Sequence, residues 1–305
     1  MQNLLVVILG PTASGKTSIA VRLAREINGE IISADSRQVY RGMDIGTGKD
    51  LSEYDTGGDP VPYHLIDIMD PQDEFNLFAF RKRFFASFAE IRQRGRQPVL
   101  AGGTGLYLES VILDYQMHEV GENKELRARL SSWDMDELTA YYLSLGERKP
   151  HNTSDMTDRS RLIRAIEILT HKEEDGRHNP PRETFTPLVI GIRWERSDLR
   201  NRITERLATR LKAGLIEEVE SLKAQGLSWS RLEAFGLEYR YVALYLQGQM
   251  THEEMFKNLE TKIHQFAKRQ ETWFRRMERK GVDIHWFPYH AWDAVKAMVK
   301  ERLQE

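Results

Sequence analysis

The stretch Leu4-Leu-Val-Val-Ile-Leu-Gly-Pro-Thr-Ala-Ser-Gly-Lys-Thr17 decides the fold. Its first six residues are a continuous apolar run, the pattern of a parallel strand covered on both faces. Gly10 to Thr17 then fit G-x-x-x-x-G-K-[ST]. Behind them Ile19, Ala20, Leu23, Ala24 and Ile27 recur at helical spacing. Strand, glycine-rich turn and helix therefore follow in the order a phosphate-binding loop requires. Successive backbone N–H groups in such a loop form an anion nest, and the helix N-terminus adds partial positive charge. Lys16 is placed to neutralise phosphate oxygens and the Thr17 hydroxyl to ligate Mg²⁺. Such a loop specifies a bound phosphate chain, not a reaction.

Outward from this unit, Asn28-Gly29 ends the helix and Glu30-Ile-Ile-Ser33 predicts a second strand. Pro98-Val-Leu-Ala101, after the basic amphipathic stretch Phe80 to Arg94, and Pro187-Leu-Val-Ile-Gly-Ile192 predict two more. Alternation of strands and helices implies an α/β fold, a P-loop parallel-sheet core flanked by helices. Between about Tyr115 and Phe185 the pattern changes to helical runs over Lys124 to Trp133, Met135 to Leu145 and Ser160 to His171, with no convincing strand. These residues, 115–185, are expected to form an all-helical insertion domain, and Lys172 to Thr186 reads as a loop or hinge. The core then comprises 1–114 and 186–305. From Ser197 onward nearly everything is helical in period, broken at Gly214, Gly226, Gly236, Gly248 and Gly281.

A chain of 305 residues suits about two such domains. With 40% hydrophobic and 30% charged residues it has the composition of a soluble globular protein. It contains no cysteine, which excludes disulfides, thiol nucleophiles, zinc fingers and iron–sulfur ligation and favours a reducing, cytoplasmic setting. The run Leu4 to Leu9 is too short for a signal peptide or a membrane span, so no membrane partner is expected. Lys plus Arg number 44 against 46 Asp plus Glu, a net charge of −2, so any nucleic-acid binding must be local. Two basic runs are available. Lys262 to Lys280 carries seven Lys or Arg, among them Lys268 and Arg269, with Phe266, Trp273 and Phe274 interleaved; Arg81 to Arg96 carries six. Each reads either as a footprint on phosphates or as a basic amphipathic helix packed on the core.

Two further constellations lie where strands end. Ser33-Ala-Asp-Ser-Arg-Gln-Val-Tyr40 follows the second strand, at the edge where open α/β sheets bind ligands. Asp35 there suits a Mg²⁺ ligand, a general base or an N-cap. Val99-Leu-Ala-Gly-Gly-Thr-Gly-Leu-Tyr107 brings the Thr104 hydroxyl to the same crevice, unless it caps a helix. A P-loop ATPase would end this strand in a Mg²⁺-holding Asp. This one ends in Ala-Gly-Gly-Thr.

Taken together these residues resemble the tRNA dimethylallyltransferases, or tRNA isopentenyltransferases. The resemblance is carried by Gly10 to Thr17, by Asp35-Ser-Arg-Gln38 with Val39-Tyr40, by Arg41-Gly-Met-Asp-Ile-Gly-Thr47, and by His64-Leu-Ile-Asp67 with Asp70-Pro71. It continues through Ala101-Gly-Gly-Thr-Gly-Leu-Tyr107, Asp158 with Arg161 and Arg164-Ala-Ile-Glu167, and Ala267-Lys-Arg-Gln-Glu-Thr-Trp-Phe-Arg275. It implies transfer of a dimethylallyl group from dimethylallyl diphosphate to the exocyclic amine of the adenosine 3′ to the anticodon. Gly10, Thr12, Ala13, Ser14, Gly15, Lys16 and Thr17 would hold the diphosphate, with Mg²⁺ on Thr17 as cofactor. Asp35 would be the general base and Thr104 a hydrogen-bond partner of the amine, with Lys16 stabilising the leaving charge. The tRNA anticodon stem-loop would be contacted by Asp35, Ser36, Arg37, Gln38, Arg127, Arg161 and Arg164, and by Lys268 and Arg269. A target base stacked in RNA must be extruded into the pocket. Such an enzyme is expected to act as a monomer.

The alternative within this chemistry is an adenylate isopentenyltransferase acting on a free nucleotide. Asp35-Ser36 and the long helical C-terminal half argue against it. A P-loop small-molecule kinase matches the phosphate loop alone. Gly236-Leu-Glu-Tyr-Arg240 departs from the resembled family's Gly-Tyr-Lys/Arg-Glu/Gln, and Lys149 to Asp158 departs from its usual spacing.

Overall fold

The computed structural model describes residues 3–56, 58–115, 117, 120–146, 156–171 and 184–304. Most of the expected hinge, and most of the departure at Lys149 to Asp158, lie outside the described residues. By internal packing the chain separates into two units, Met1–Tyr115 with Glu183–Glu305, and Gln116–Arg182.

In the larger unit the first elements are β1 (Leu4–Leu9), α1 (Lys16–Glu26), β2 (Gly29–Ala34), α2 (Ser52–Asp55), β3 (Tyr63–His64), α3 (Leu77–Gln93), β4 (Gln97–Gly102) and α4 (Gly105–Ile112). The smaller unit holds α5 (Lys124–Leu130), α6 (Met135–Ser144) and α7 (Arg159–Thr170). The larger unit resumes with β5 (Thr186–Arg193), α8 (Arg196–Lys212), α9 (Leu215–Ala224), α10 (Trp229–Ala234), α11 (Leu237–Leu246), α12 (His252–Arg279), β6 (Ile284–Pro288) and α13 (Trp292–Gln304).

The six strands pair in parallel in the order β3-β2-β4-β1-β5-β6. The register Val6 with Val99 and Val6 with Leu188 puts β1 at the centre. Successive β1 residues serve opposite faces. Leu4, Val6 and Ile8 join the cluster under α1 and α13, while Leu5, Val7 and Leu9 join the cluster with Phe80, Phe84 and Phe88 of α3. Both faces being covered, the run has no polar alternation.

Two strands depart from the sequence reading. β3 spans only two residues on the edge beside β2. β6 interrupts the stretch read as nearly all helical, and only its first residue, Ile284, is buried. The five C-terminal glycine breaks hold: Gly214, Gly226, Gly236, Gly248 and Gly281 all adopt positive φ. In the smaller unit Leu126, Leu130, Leu138, Tyr142, Leu162 and Ile166 form a core of their own.

Candidate active site

Parallel pairing brings the carboxyl ends of β1, β2 and β4 side by side. They carry Gly10 to Thr17, Asp35 to Gln38 and Gly103-Thr104 respectively. The phosphate loop wraps the start of α1, with Gly15 in the left-handed region at φ 77°. A Cβ on Gly15 would collide with the Tyr289 ring, so glycine is required twice over. The carbonyl side of the loop is clamped from outside. Arg202 Nε donates to the Ala13 carbonyl at 3.0 Å and Trp194 Nε1 to the Ser14 carbonyl at 2.9 Å. Trp194 stacks on Tyr289 with centroids 5.0 Å apart, and the Arg202 guanidinium lies 4.3 Å from the Trp194 ring.

Arg206, one turn beyond Arg202 on α8, donates to the Thr12 hydroxyl. A turn further, Arg210 lies 3.7 Å from the Asp50 carboxylate. Lys16, at the head of α1, donates to the Pro11 carbonyl at 3.4 Å. Burial pushes the Lys16 ammonium down to about 8, and Arg206 and Arg210 press the same way against Asp35 and Asp50. The Glu238 carboxyl is pushed up by burial, against the pull of Arg210 and Arg206. The loop therefore faces a cluster of cations, the setting in which an anionic ligand is stabilised.

Asp35 Oδ1 accepts the N–H of Arg37 at 2.8 Å and that of Gln38 at 3.4 Å. This is an Asx turn over residues 36–39 with no helix after it, so Asp35 caps none, and its other oxygen takes no hydrogen bond. Thr104 stands at the N-cap of α4 without its side chain capping the helix. Its hydroxyl instead accepts the Ser36 N–H at 3.2 Å, tying the β4 loop to the β2 loop. Gln38 is consumed within the fold, accepting from the Ser33 hydroxyl at 2.9 Å and donating to the Gly48 carbonyl at 3.0 Å. Arg37 reaches the Ala234 carbonyl at 3.2 Å.

Gln270, buried on α12, accepts the Thr12 N–H at 2.7 Å and donates to the Gly103 carbonyl at 2.8 Å. A Cβ on Gly103 would strike its amide nitrogen. Sequence reasoning missed Gln270 although it lies inside a quoted motif, and missed Arg202, Arg206 and Arg210. Their spacing of four residues was the available signal.

Among the described residues no group of three or more His, Cys, Asp or Glu side chains is arranged to hold a metal ion. A Mg²⁺ ion bound mainly through ligand phosphates needs no such cage. A hydroxyl at Thr17, in the first turn of α1 beside Lys16, fits that mode.

On α12, Lys268 and Arg269 are exposed, with Arg269 5.8 Å from the Phe266 ring. In the run from Arg81 to Arg96 only Arg81 is buried, and Lys82, Arg83 and Arg94 are exposed, yet several of its cations are paired within the fold. Arg81 pairs with Asp114 at 2.8 Å, Arg92 with Asn3 at 3.0 Å, and Arg94 with the buried Glu30 at 2.7 Å. Arg240, in the departing segment, is exposed, whereas Tyr239 beside it is buried and donates to Glu218 at 2.7 Å.

In the smaller unit, Arg127 Nε and Arg164 Nη1 both donate to the Glu167 carboxylate, at 2.7 and 3.0 Å. Burial pushes the Glu167 carboxyl up, but Arg127, Arg164 and the Asn123 N–H together hold it below the usual carboxylate range. Arg161, at i−3 from Arg164, is exposed.

Comparison with known proteins shows the family of the chain. The profile of the family described as IPP transferase matches residues 38–277, and that described as isopentenyl transferase matches residues 3–56. The chain is 54% identical to tRNA dimethylallyltransferase 1 of Syntrophus aciditrophicus over 305 residues, covering 100% of each chain. To tRNA dimethylallyltransferase 1 of Geotalea uraniireducens it is 56% identical over 282 residues, covering 92% of this chain and 91% of the other. Among solved structures, the tRNA isopentenylpyrophosphate transferase of Bacillus halodurans superposes with a TM-score of 0.72 at 34% identity, covering 99% of this chain and 97% of that one.

Proposed function

The chain belongs to the IPP transferase family of tRNA dimethylallyltransferases, and from that premise we propose that it prenylates the adenosine 3′-adjacent to the anticodon, using dimethylallyl diphosphate as donor. The observation that carries the reading is the pairing of a cation-lined phosphate loop after β1 with a free carboxylate oxygen after β2, across the intervening β4. Lys16 and Arg206 border the loop, and Asp35 lies close enough to act on the Lys16 ammonium.

In this reaction the C1–O bond of the donor breaks and its electron pair leaves with diphosphate, while the exocyclic nitrogen forms the new C–N bond. Negative charge grows on the leaving oxygen as positive charge spreads over the allyl unit. Preorganised donors at the loop therefore act where charge develops. Lys16, Arg206 and the loop N–H groups supply them. Mg²⁺ held by Thr17 and the diphosphate would add further neutralisation. Asp35 takes the amine proton on the oxygen that is not held by Arg37 and Gln38. The Thr104 hydroxyl oxygen has a second lone pair beyond the one given to Ser36, which in this reading accepts an N–H of the same amine. Gly-Gly-Thr in place of a Walker-B Asp suits a reaction that needs no phosphoryl transfer.

RNA contacts are assigned to Ser36 and Arg37, to Lys268 and Arg269, and to Arg127, Arg161 and Arg164 of the smaller unit. The helices α8 to α12 give the chain more structure than a mononucleotide substrate needs, which favours tRNA over AMP. Incubation with labelled dimethylallyl diphosphate, Mg²⁺ and either unmodified tRNA or AMP tests the assignment. Label in tRNA alone is expected; label in AMP alone, or hydrolysis of ATP, refutes it.

A further inference from the structure

We propose that Glu167 is a positioning residue for RNA recognition, its buried carboxylate holding Arg127 and Arg164 as one forked cation shaped for a backbone phosphate. This rests on the reading that the smaller unit contacts tRNA. The Glu167 side chain is fully enclosed, while the Arg127 and Arg164 side chains are 40% and 36% exposed. One carboxylate therefore anchors two guanidinium groups from beneath and leaves both at the surface. Arg127 is bound twice, by Nε at 2.7 Å and Nη2 at 3.0 Å, which fixes the plane of its guanidinium. Arg164 is fixed from the other side by the Val120 and Gly121 carbonyls, at 2.6 and 3.3 Å.

Helical phase explains why the anchor lies inside. Leu162 and Ile166 of α7 face the three-helix core, and Glu167 adjoins Ile166 on the same side. Stability alone does not account for a charge there, because a buried ion triad seldom outperforms apolar side chains of equal volume. Preorganisation does account for it. A guanidinium locked in one orientation gives up less side-chain freedom on meeting a planar pair of phosphate oxygens.

The test turns on sign. Glu167→Gln removes one negative charge, so attraction to RNA by charge alone predicts tighter binding. Positioning predicts the opposite, a weakening of tRNA binding by about tenfold or more. Its reference is Glu122→Gln, which makes the same charge change at the exposed partner of Arg127 and is expected not to weaken binding. Kd for unmodified tRNA is measured at several salt concentrations, alongside the Michaelis constant for dimethylallyl diphosphate. That constant is expected to stay put, since the network shares no residue with the phosphate loop. Equal or tighter tRNA binding by Glu167→Gln overturns the proposal. Folding of the unit is followed by the fluorine NMR resonance of fluorotryptophan-labelled Trp133, the only tryptophan in residues 116–182, assigned by its loss in Trp133→Phe. If Glu167→Gln loses that signal, Arg127→Lys and Arg164→Lys take over, keeping the charge but not the fork. Positioning expects each to weaken tRNA binding, and undiminished affinity overturns it. A double Arg127→Ala, Arg164→Ala variant that leaves both affinity and salt dependence intact shows instead that these two arginines do not contact tRNA, and overturns the reading on which the proposal rests.

Discussion

The side chain of Gln270 accepts the backbone N–H of Thr12 at 2.7 Å and passes a hydrogen bond on to the Gly103 carbonyl at 2.8 Å. One buried amide thus sets the spacing between the donor loop after β1 and the acceptor loop after β4. Gln270→Ala leaves a buried donor and a buried acceptor unpaired, each costing about 1–3 kcal/mol. Gln270→Glu keeps the acceptor for Thr12 but turns a second oxygen toward the Gly103 carbonyl. Both variants are expected to lower the denaturation midpoint and to weaken donor binding, with the Glu variant further hampered by its charge beside the phosphate loop. Calorimetric binding of diphosphate together with urea unfolding checks this. An unchanged donor affinity in a destabilised Gln270→Ala protein would confine Gln270 to a folding role.

The proposed reaction gives Asp35 two separable duties. One oxygen holds the Asx turn and the other is available as base. Asp35→Asn preserves the turn acceptor and removes the base. It is expected to cut prenyl transfer by about 10²–10⁴-fold while leaving tRNA binding within a few-fold. Single-turnover assays decide: a variant retaining more than about a tenth of the normal rate excludes Asp35 as base.

Thr104 is expected to matter less. Thr104→Val keeps the shape but deletes the acceptor of the Ser36 N–H and the contact to the amine, a loss of about 1.5–3 kcal/mol in transition-state stabilisation if the amine is gaining charge. Thr104→Ser should restore most of kcat/KM. A loss confined to donor affinity would place Thr104 in the diphosphate site.

The central strand and its phosphate loop were legible because both carry local signatures: β1 is apolar on both faces, and the glycine and lysine spacing is read without tertiary information. Other elements were hidden for physical reasons. β6 is short, mostly half-buried and flanked by helices, so no alternation announces it. The arginines of α8 were visible as a periodic row, but only the packing of that helix against the phosphate loop turns Arg202 and Arg206 into loop contacts. Gln270 carries no charge and no reactive group, so its role exists only through two backbone partners far away in sequence. The run from Arg81 to Arg96 stayed open between an RNA footprint and a packed helix because its neutralising carboxylates, Glu30 and Asp114, come from other elements.

The depressed Lys16 ammonium gives donor binding a distinct pH dependence. Its ordinary value is 10.5 and its value in the free protein about 8. The folded state thus disfavours the charged form. That penalty is fully present below about pH 8 and is relieved as pH rises toward 10.5, so this group favours unfolding at low pH rather than high. Bound diphosphate supplies negative charge that raises the ammonium again. Above about pH 8, binding must therefore recruit a proton, and affinity falls toward tenfold per unit of pH. Titration with an unreactive thiolo analogue of the donor, in buffers of different ionisation heat, should show proton uptake that grows above pH 8. Affinity that stays flat to about pH 9.5 would mean that Lys16 remains charged throughout.

The basic runs are now separable by experiment. Lys268 and Arg269 are exposed on α12, whereas Arg94 is spent on the buried Glu30. If the α12 pair touches RNA phosphates, each contact contributes about −0.7 to the slope of log K against log salt on a single-stranded loop and about −0.9 on a duplex-like stem. Lys268→Ala or Arg269→Ala should flatten the slope by that amount and leave the donor constant alone. Arg94→Ala should do neither, but should destabilise the protein, because Glu30 loses the guanidinium that holds its carboxyl below the usual range against the upward push of burial. The Glu30 carboxyl would then titrate at higher pH, and the stability lost on acidification would be lost earlier. Filter binding across a salt series and urea unfolding across a pH series read the two effects independently. A flattened slope from Arg94→Ala would place Arg94 at the RNA interface. An unaltered slope with a raised donor constant for Lys268→Ala would assign that lysine to the diphosphate.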